Sequence, residues 1–156
     1  RRARSCPPCV RAEAPTRRAG CGQAVTVLIQ NLPIRGRVSS IFSHLDSLGF
    51  AGQYDYVHAP IDTRTRMLKG FAFVNFAHAA DAARFMARLG GTQLEGSESK
   101  RTLCASMATN QGIEANLAAL AGLRKRSRRK DAELPWVRAN GEMQPIQETT
   151  QKLTLV

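Results

Sequence analysis

The sequence predicts an α+β domain whose elements follow the order β-α-β-β-α-β. Four short runs rich in β-branched and aromatic residues predict strands, and two segments with apolar residues at helical spacing predict the helices between them. Glycine and proline occur at the boundaries, where they favour turns and helix ends. This order gives a four-stranded antiparallel sheet with both helices on one face, so the other face is left open.

The bounds of each element follow from its local pattern. The first strand covers residues 27–32, because the apolar run ends at Pro33, which cannot donate to a sheet ladder. The first helix covers residues 38–48 and stops at Gly49, with its polar positions, His44 among them, on a solvated face. The other strands are predicted at 53–59, 69–76 and 103–107, and the second helix at 78–89.

The second strand carries two tyrosines two positions apart. The period of two along a strand predicts that Tyr54 and Tyr56 share one face, with Asp55 and Val57 on the other. One apolar residue opposite the tyrosines is too little to decide which face meets the core. The sequence therefore leaves both orientations open.

Residues 69–76, KGFAFVNF, carry the most specific signal in the chain. They fit at every position the octamer K/R-G-F/Y-G/A-F-V-x-F/Y, which marks the third strand of an RNA-recognition sheet. Alternation places Phe71, Phe73 and Asn75 on one face. Two rings on the open face beside Lys69 predict base stacking, because aromatic rings offer a platform to any base.

The first strand and two loops supply the other expected RNA contacts. Leu28 lies where related sheets often carry a third ring, and its aliphatic side chain can pack on a base without a π-face. Loop cations are expected to reach phosphates. The predicted RNA-binding residues are Phe71, Phe73, Lys69, Leu28, Gln30, Asn31, Asn75, Arg35, Arg37, Arg64 and Arg66.

A third helical pattern follows the fourth strand. Ile113, Leu117 and Leu120 repeat at spacings of four and three residues, so this helix has an apolar stripe that needs a surface to cover. It can pack on the side of the domain, lie across the open sheet and compete with RNA, or hold a protein partner. The basic run 124–130 is a nuclear-import signal, a phosphate-binding arm or a solvated segment.

Charge divides the chain into three parts. The net charge is +11, of which +5 lies in residues 1–22, +2 in residues 23–123 and +4 in residues 124–156. We expect a disordered basic N-terminal segment, one folded domain and a basic, mostly flexible tail. The tails add salt-sensitive attraction to nucleic acid, whereas the nearly neutral domain relies on stacking and hydrogen bonds. The absence of an initiator Met suggests a fragment or a processed product.

Several other functions find no support in the sequence. It contains no apolar run that would span a membrane and no signal peptide, so we expect a soluble, intracellular protein in the nucleus and/or cytoplasm. We also expect a monomer. No catalytic constellation surrounds the three histidines, and we expect no enzyme. Structural zinc normally has four ligands, whereas the N-terminal segment offers three cysteines, Cys6, Cys9 and Cys21. No metal or cofactor is therefore expected.

With these elements in place, residues 24–123 resemble the C-terminal RNA recognition motif of the Mei-two-like meiosis regulators. The resemblance rests on Val27 to Pro33, Tyr54-Asp55-Tyr56, Pro60-Ile61-Asp62, Lys69 to Phe76, and Ala108 through Gln111-Gly112. It implies a ferredoxin-like fold, RNA bound on the sheet, a long loop between the second and third strands, and a helical extension. It also implies stacking by Phe71 and Phe73 and a phosphate contact by Lys69. The loop Arg35-Gly36-Arg37 departs from the family pattern.

Together these observations predict a protein that binds single-stranded RNA by base stacking on the open sheet and acts in post-transcriptional regulation. The alternative is a protein–protein interaction module of the same fold, whose sheet is masked.

Overall fold

A computed structural model of the chain describes residues 25–62, 64–126 and 135–146. The elements are β1 (Thr26–Gln30), α1 (Val38–Ser47), β2 (Tyr54–His58), β3 (Phe71–Phe76), α2 (Ala79–Leu89), β4 (Cys104–Met107), α3 (Ile113–Arg126), β5 (Trp136–Ala139) and β6 (Glu142–Pro145). The predicted α+β class and the order β-α-β-β-α-β followed by a third helix are confirmed.

The sheet has six strands in the order β4-β1-β3-β2-β5-β6, and every neighbouring pair is antiparallel. The four central strands are those that the sequence predicts, with β1 and β3 side by side in the middle. The four-stranded sheet expected from the sequence is extended at β2 by β5 and β6. The three-part division of the chain remains a prediction, because residues 1–24, 127–134 and 147–156 lie outside the described ranges.

The added strands form a hairpin in a region for which the sequence analysis expected a flexible tail. Val137 pairs with Tyr56 on β2, and Ala139 pairs with Glu142 across the turn. Asn140 and Gly141 form the two-residue turn. Their φ angles of 52° and 84° are both positive, as a type I′ hairpin turn requires. The Asn-Gly pair is a local signal for such a hairpin, but the sequence-based prediction placed no strands in this region.

The core lies between the sheet and the first two helices. On the sheet it includes Val27, Ile29, Ala72, Val74 and Phe76, each at most 2 % exposed. The helices add Ile41, Leu45, Ala82, Phe85 and Leu89 to the same cluster. Both helices therefore cover one face of the sheet, as predicted, and the opposite face is available for other contacts.

His44 is buried, at 6 % exposed, so its predicted place on a solvated face is wrong. The backbone N–H of Glu95 donates to Nδ1 at 3.3 Å, and Nε2 lies 3.0 Å from Thr92 Oγ1. Because Nδ1 accepts, this network assigns the proton of the neutral ring to Nε2. Burial lowers the pKa of His44, against a smaller opposing effect of the Glu95 carboxylate.

Within the described residues, no helix has the length and apolar character needed to cross a bilayer. The same part of the chain contains no group of three or more His, Cys, Asp or Glu residues that could hold a metal ion. Cys6, Cys9 and Cys21 lie outside the described ranges.

Candidate nucleic-acid interface

The face of the sheet opposite α1 and α2 carries the two rings of the octamer. Along β3, Ala72, Val74 and Phe76 are at most 1 % exposed on the helical side, whereas Phe71 and Phe73 are only partly buried. The predicted alternation of β3 is confirmed. The two rings meet edge to face, with centroids 5.8 Å apart and planes at 82°. Bases stacked on both rings would therefore stand nearly perpendicular to each other.

Neighbouring strands widen this aromatic surface. On β1, Leu28 pairs with Phe73 and Gln30 with Phe71, so both predicted contacts lie on the same face as the rings. On β2, His58 pairs with Phe73, and its ring lies 6.4 Å from the Phe73 ring at an angle of 14°. We call Leu28, Gln30, His58, Phe71 and Phe73 the open end of this face. The sequence analysis missed His58 because it could not decide the faces of β2.

A bulge in β2 explains that difficulty. Tyr54 pairs with Phe76 but Tyr56 pairs with the adjacent Asn75, so Asp55 is the extra residue of the bulge. The bulge turns Tyr54 towards the helices and Tyr56 towards the opposite face. The prediction that both tyrosines share one face is therefore wrong.

Beyond Phe73, the same face is buried. Thr26, Tyr56 and Asn75 are 0 %, 1 % and 4 % exposed, although each lies on the face opposite α1 and α2. We call these three residues the capped end. Burial raises the pKa of Tyr56, in keeping with a phenol held away from water.

A line of hydrogen bonds crosses the capped end and continues into α3. Asn75 Nδ2 donates to Asp55 Oδ1 at 2.7 Å, and Thr26 Oγ1 donates to Asn75 Oδ1 at 2.7 Å. The Thr26 hydroxyl accepts in turn from Gly112 N at 2.9 Å and from Asn116 Nδ2 at 3.3 Å. Side chains of β2, β3 and β1 are thus joined to the first turn of α3.

The turn before α3 is also attached to β1. Gln111 Oε1 accepts the backbone N–H groups of Val25 and Thr26, both at 2.8 Å, and its Nε2 donates to the carbonyls of Thr26 and Ala108. This one side chain therefore satisfies three backbone groups at the start of β1. It is a positioning residue that sequence reasoning noted only through the family resemblance.

Burial along α3 shows which side of the helix meets the sheet. Asn116 and Leu120, one turn apart, are 6 % and 8 % exposed, whereas Glu114 and Ala118 are exposed. Since Asn116 bonds to Thr26, this side lies over the capped end. Of the places that the sequence left open for α3, the structure selects the sheet face, but only one end of it.

Asn75 is the predicted RNA contact that the structure does not bring to the surface. Its amide nitrogen is held by Asp55 and its carbonyl oxygen by Thr26. RNA would have to break both bonds and move α3 to reach it. The predicted face of Asn75 is correct, but the alternation along a strand does not tell whether a helix covers that face.

Lys69 and Asn31 lie beside the open end. The Leu32 N–H donates to the Gly70 carbonyl at 2.9 Å, which holds the loop after β1 against the residues that precede β3. Lys69 is exposed, and Asn31 adopts φ of 66° while its Nδ2 donates to the Thr102 carbonyl at 2.7 Å. Both predicted side chains are therefore next to Phe71 in the fold.

The predicted loop arginines also gather near this end. Arg35 and Arg37 are exposed and line a cleft of about 600 Å³ together with Ser97, Ser99 and Arg101. Gly36 separates them where a Cβ would lie 3.0 Å from the Pro33 carbonyl and 3.1 Å from Leu94, so a larger residue would push this loop outwards. Arg101 is a cation that the sequence analysis did not select.

The loop between β2 and β3 is shaped by one carboxylate. Asp62 Oδ1 accepts the N–H groups of Arg64 at 2.8 Å and Thr65 at 3.0 Å, a turn that aspartate favours. The bonds from Thr65 and Arg64 lower the pKa of Asp62. Arg64 and Arg66 are exposed, and Arg66 lines a cleft of about 390 Å³ with Arg37. The two loops thus bring Arg37 and Arg66 to one cleft.

Comparison with known proteins gives one family match. A family model described as RNA recognition motif 2 matches residues 24–121, which is more than half of the chain. A comparison with curated proteins found no significant match.

Solved structures with a similar fold include the RNA15 RRM, which is 22% identical and covers 57% of this chain and 94% of that chain at a TM-score of 0.48. The RNA15 RRM with bound RNA (GU) is 23% identical, with 62% and 96% covered and a TM-score of 0.48. The second RRM domain of yeast poly(U)-binding protein Pub1 is 20% identical, with 56% and 98% covered and a TM-score of 0.45.

Proposed function

The chain belongs to the RNA recognition motif 2 family, and from this premise we propose that it binds single-stranded RNA on the open end of its sheet. Family membership supports RNA binding in general. The observation that carries the finer proposal is the pair of partly exposed rings, Phe71 and Phe73, on a sheet face that α3 leaves uncovered beside them. Aromatic rings at such a position are typical platforms for unpaired bases.

Each side chain of the open end has a proposed role. One base stacks on Phe73, and the neighbouring base stacks on the perpendicular ring of Phe71. Leu28 offers an apolar contact next to Phe73. Gln30 and the side-chain carbonyl of Asn31, whose amide is held by Thr102, are proposed to hydrogen-bond base edges.

The cations around the open end are proposed to hold the RNA backbone. Lys69, Arg35, Arg37, Arg64 and Arg66 are exposed in loops that border it. Their contacts with phosphates position the strand without reading its sequence. The basic run 124–130, partly outside the described residues, is proposed to add sequence-independent attraction that weakens as salt rises.

We further propose that the protein acts in post-transcriptional regulation as a monomer, in the nucleus and/or cytoplasm, without a cofactor and without enzymatic activity. The resemblance of Tyr54 to Phe76 to the Mei-two-like regulators supports this role. Ultraviolet crosslinking in fractionated cells would recover RNA from the compartment where the protein acts. Recovery of no RNA from any fraction would contradict the proposal.

One observation favours the alternative of a protein-binding module. Because α3 covers part of the sheet face, a partner that docks on α3 would compete with RNA for the remaining surface. Against it, Phe71 and Phe73 keep exposed surface outside that cap. RNA binding at the open end is the function that the geometry supports better.

Fluorescence anisotropy tests the proposed function. Randomised single-stranded RNA is titrated with the wild type and with the Phe71→Ala/Phe73→Ala double variant at two salt concentrations. Met107→Ala is the matched control, because Met107 is an apolar β4 side chain that is 47 % exposed and pairs with Val27 of the core face. Circular dichroism confirms that each variant is folded.

We expect the double variant to lose binding and Met107→Ala to retain it. Equal and strongly salt-dependent binding by all three proteins would mean that basic segments bind the RNA and that the rings serve a protein partner.

A further inference from the structure

We infer that α3 is a fixed cap that limits the sheet to about two stacked bases, one for each ring of the open end, with Asn116 as the positioning residue. The inference rests on the proposed RNA-binding function and deepens it, because it defines the length of RNA that the sheet itself reads. It concerns the capped end, where Thr26, Tyr56 and Asn75 would otherwise continue the surface.

The cap is continuous with the sheet. Asn75 donates to Asp55, Thr26 donates to Asn75, and Asn116 donates to Thr26, so these bonds run across three strands into the helix. Thr26, Asn75 and Asn116 are all at least nine-tenths buried. A nucleotide placed over Asn75 would have to replace this whole line of bonds.

The chain is also attached to the sheet before and after α3. Before the helix, Gln111 and Gly112 bind the start of β1. After it, β5 pairs with β2 on the far side of β3. The first turn of α3 can therefore leave the face only if the bonds of Gln111 and Gly112 to β1 break, and the strand that follows the helix belongs to the same sheet.

The uncovered part of β3 is short. Along β3, the open end includes Phe71 and Phe73, and the next residue on the same face is the buried Asn75. Two successive positions on one face span roughly 7 Å of strand. This length presents two rings, and the third position is occupied by the polar network beneath α3.

A length series of RNA tests the inference. In each protein background, affinities are measured with both rings present and with the Phe71→Ala/Phe73→Ala pair, for randomised RNAs of about two to about eight nucleotides, at about 200 mM salt to weaken the basic segments. Because loss of both rings removes the stacking platform, the ratio of the two affinities reports binding by the sheet. We expect this ratio to rise up to about two nucleotides, by roughly 5- to 150-fold for each stacked base, and to stay constant in longer RNAs.

Asn116→Ala tests the positioning residue, and Glu114→Ala, on the exposed side of the same helix, is its matched control. In Asn116→Ala we expect the ratio to keep rising to a third or fourth nucleotide, with no such change in Glu114→Ala. If Asn116→Ala does not fold, Leu120→Ala removes the other buried contact of this side of α3 and serves in its place.

Hydrogen exchange of the α3 amides separates a fixed cap from a movable lid. We expect RNA binding to leave their exchange rates unchanged in the wild type. Faster exchange on binding, or a wild-type ratio that keeps rising beyond about two nucleotides, would overturn the cap. Equal length dependence in Asn116→Ala and the wild type would overturn the role of Asn116. If the Phe71→Ala/Phe73→Ala double variant matches the wild type at every length, the proposed function itself fails.

Discussion

The open end and the capped end of one sheet face are built from neighbouring residues of the same central strands, yet they have opposite properties. At the open end, Phe71 and Phe73 keep part of their surface exposed, whereas two residues further along β3 Asn75 is 4 % exposed. Strand alternation places all three side chains on one face. The difference comes from α3, an element outside the strands, and it teaches that position on a face does not determine accessibility.

The two ends also differ in what holds them together. The capped end combines buried side-chain hydrogen bonds with burial of Tyr56 and Leu120. Burial of each such apolar side chain stabilises a fold by roughly 1.5–3 kcal/mol. The open end contributes little to the core. Substitutions at the two ends should therefore separate stability from RNA binding.

The largest expected effect is on stability at the capped end. Tyr56→Ala should lower the free energy of unfolding by roughly 3–5 kcal/mol, as truncation of a large buried aromatic does. Phe73→Ala should lower it by less than about 1 kcal/mol, because its ring is partly exposed. Urea denaturation measures both. Equal losses would mean that Phe73 belongs to the core and would remove the distinction between the ends.

The next effect is on RNA affinity at the open end. Phe71→Ala and Phe73→Ala should each cost roughly 1–3 kcal/mol of binding free energy through loss of stacking. Anisotropy titration of the single variants measures this, with circular dichroism as a check on folding. A binding loss confined to variants that have also unfolded would assign the ring to the core.

An effect of similar size, on stability, is expected from the hydroxyl beneath the cap. Thr26→Val keeps the shape of the side chain but leaves Asn75 Oδ1 and the Gly112 N–H without the Thr26 hydroxyl, at a cost of about 1–3 kcal/mol. Thr102→Val, at an exposed threonine, is the control and should change stability by less than about 0.5 kcal/mol. If both variants melt alike, the network adds nothing to the cap.

The salt dependence of binding tests the cations near the open end. Arg35→Gln and Arg37→Gln should each reduce the slope of log affinity against log salt by about 0.7 if one phosphate contact is lost. Arg84→Gln, on α2 and paired with Asp81, removes the same charge away from this surface and should leave the slope unchanged. An equal change in all three variants would indicate attraction by net charge alone.

The smallest expected effect is a pH dependence of folding stability, which affects the whole domain and therefore both ends alike. Because burial lowers the pKa of His44 below its ordinary value of 6.5, the folded protein binds fewer protons there than the unfolded chain. The stability from the neutral ring is present above pH 6.5 and is lost as the pH falls through the lowered folded pKa. Thermal melts between about pH 7 and 5 should show a larger decrease for the wild type than for His44→Gln. Parallel decreases would contradict this account.

Much of the open end could be predicted from local sequence. The octamer placed Phe71 and Phe73 on one face, and the first strand placed Leu28 and Gln30 beside them. Such inferences succeed because alternation along a strand depends on the strand alone. The loop arginines were identified as exposed cations in the same way, although their shared clefts depend on how the loops fold.

The incorrect or missing predictions concern residues whose surroundings are distant in sequence. The bulge at Asp55 separated Tyr54 from Tyr56, and His44 became buried because Thr92 and Glu95 pack against its helix. The hairpin at Asn140 was within reach of local reasoning, since Asn-Gly favours this turn, but its attachment to β2 was not.

The sequence by itself therefore determined the fold class, the order of the central elements and the faces of β3, because the apolar period and the turn residues are local properties. Only the tertiary structure decided that α3 lies over Asn75 and leaves Phe71 and Phe73 exposed. That choice depends on Thr26 meeting Asn116 across 90 residues. A contact of this kind depends on how the whole chain packs, and no local pattern encodes it.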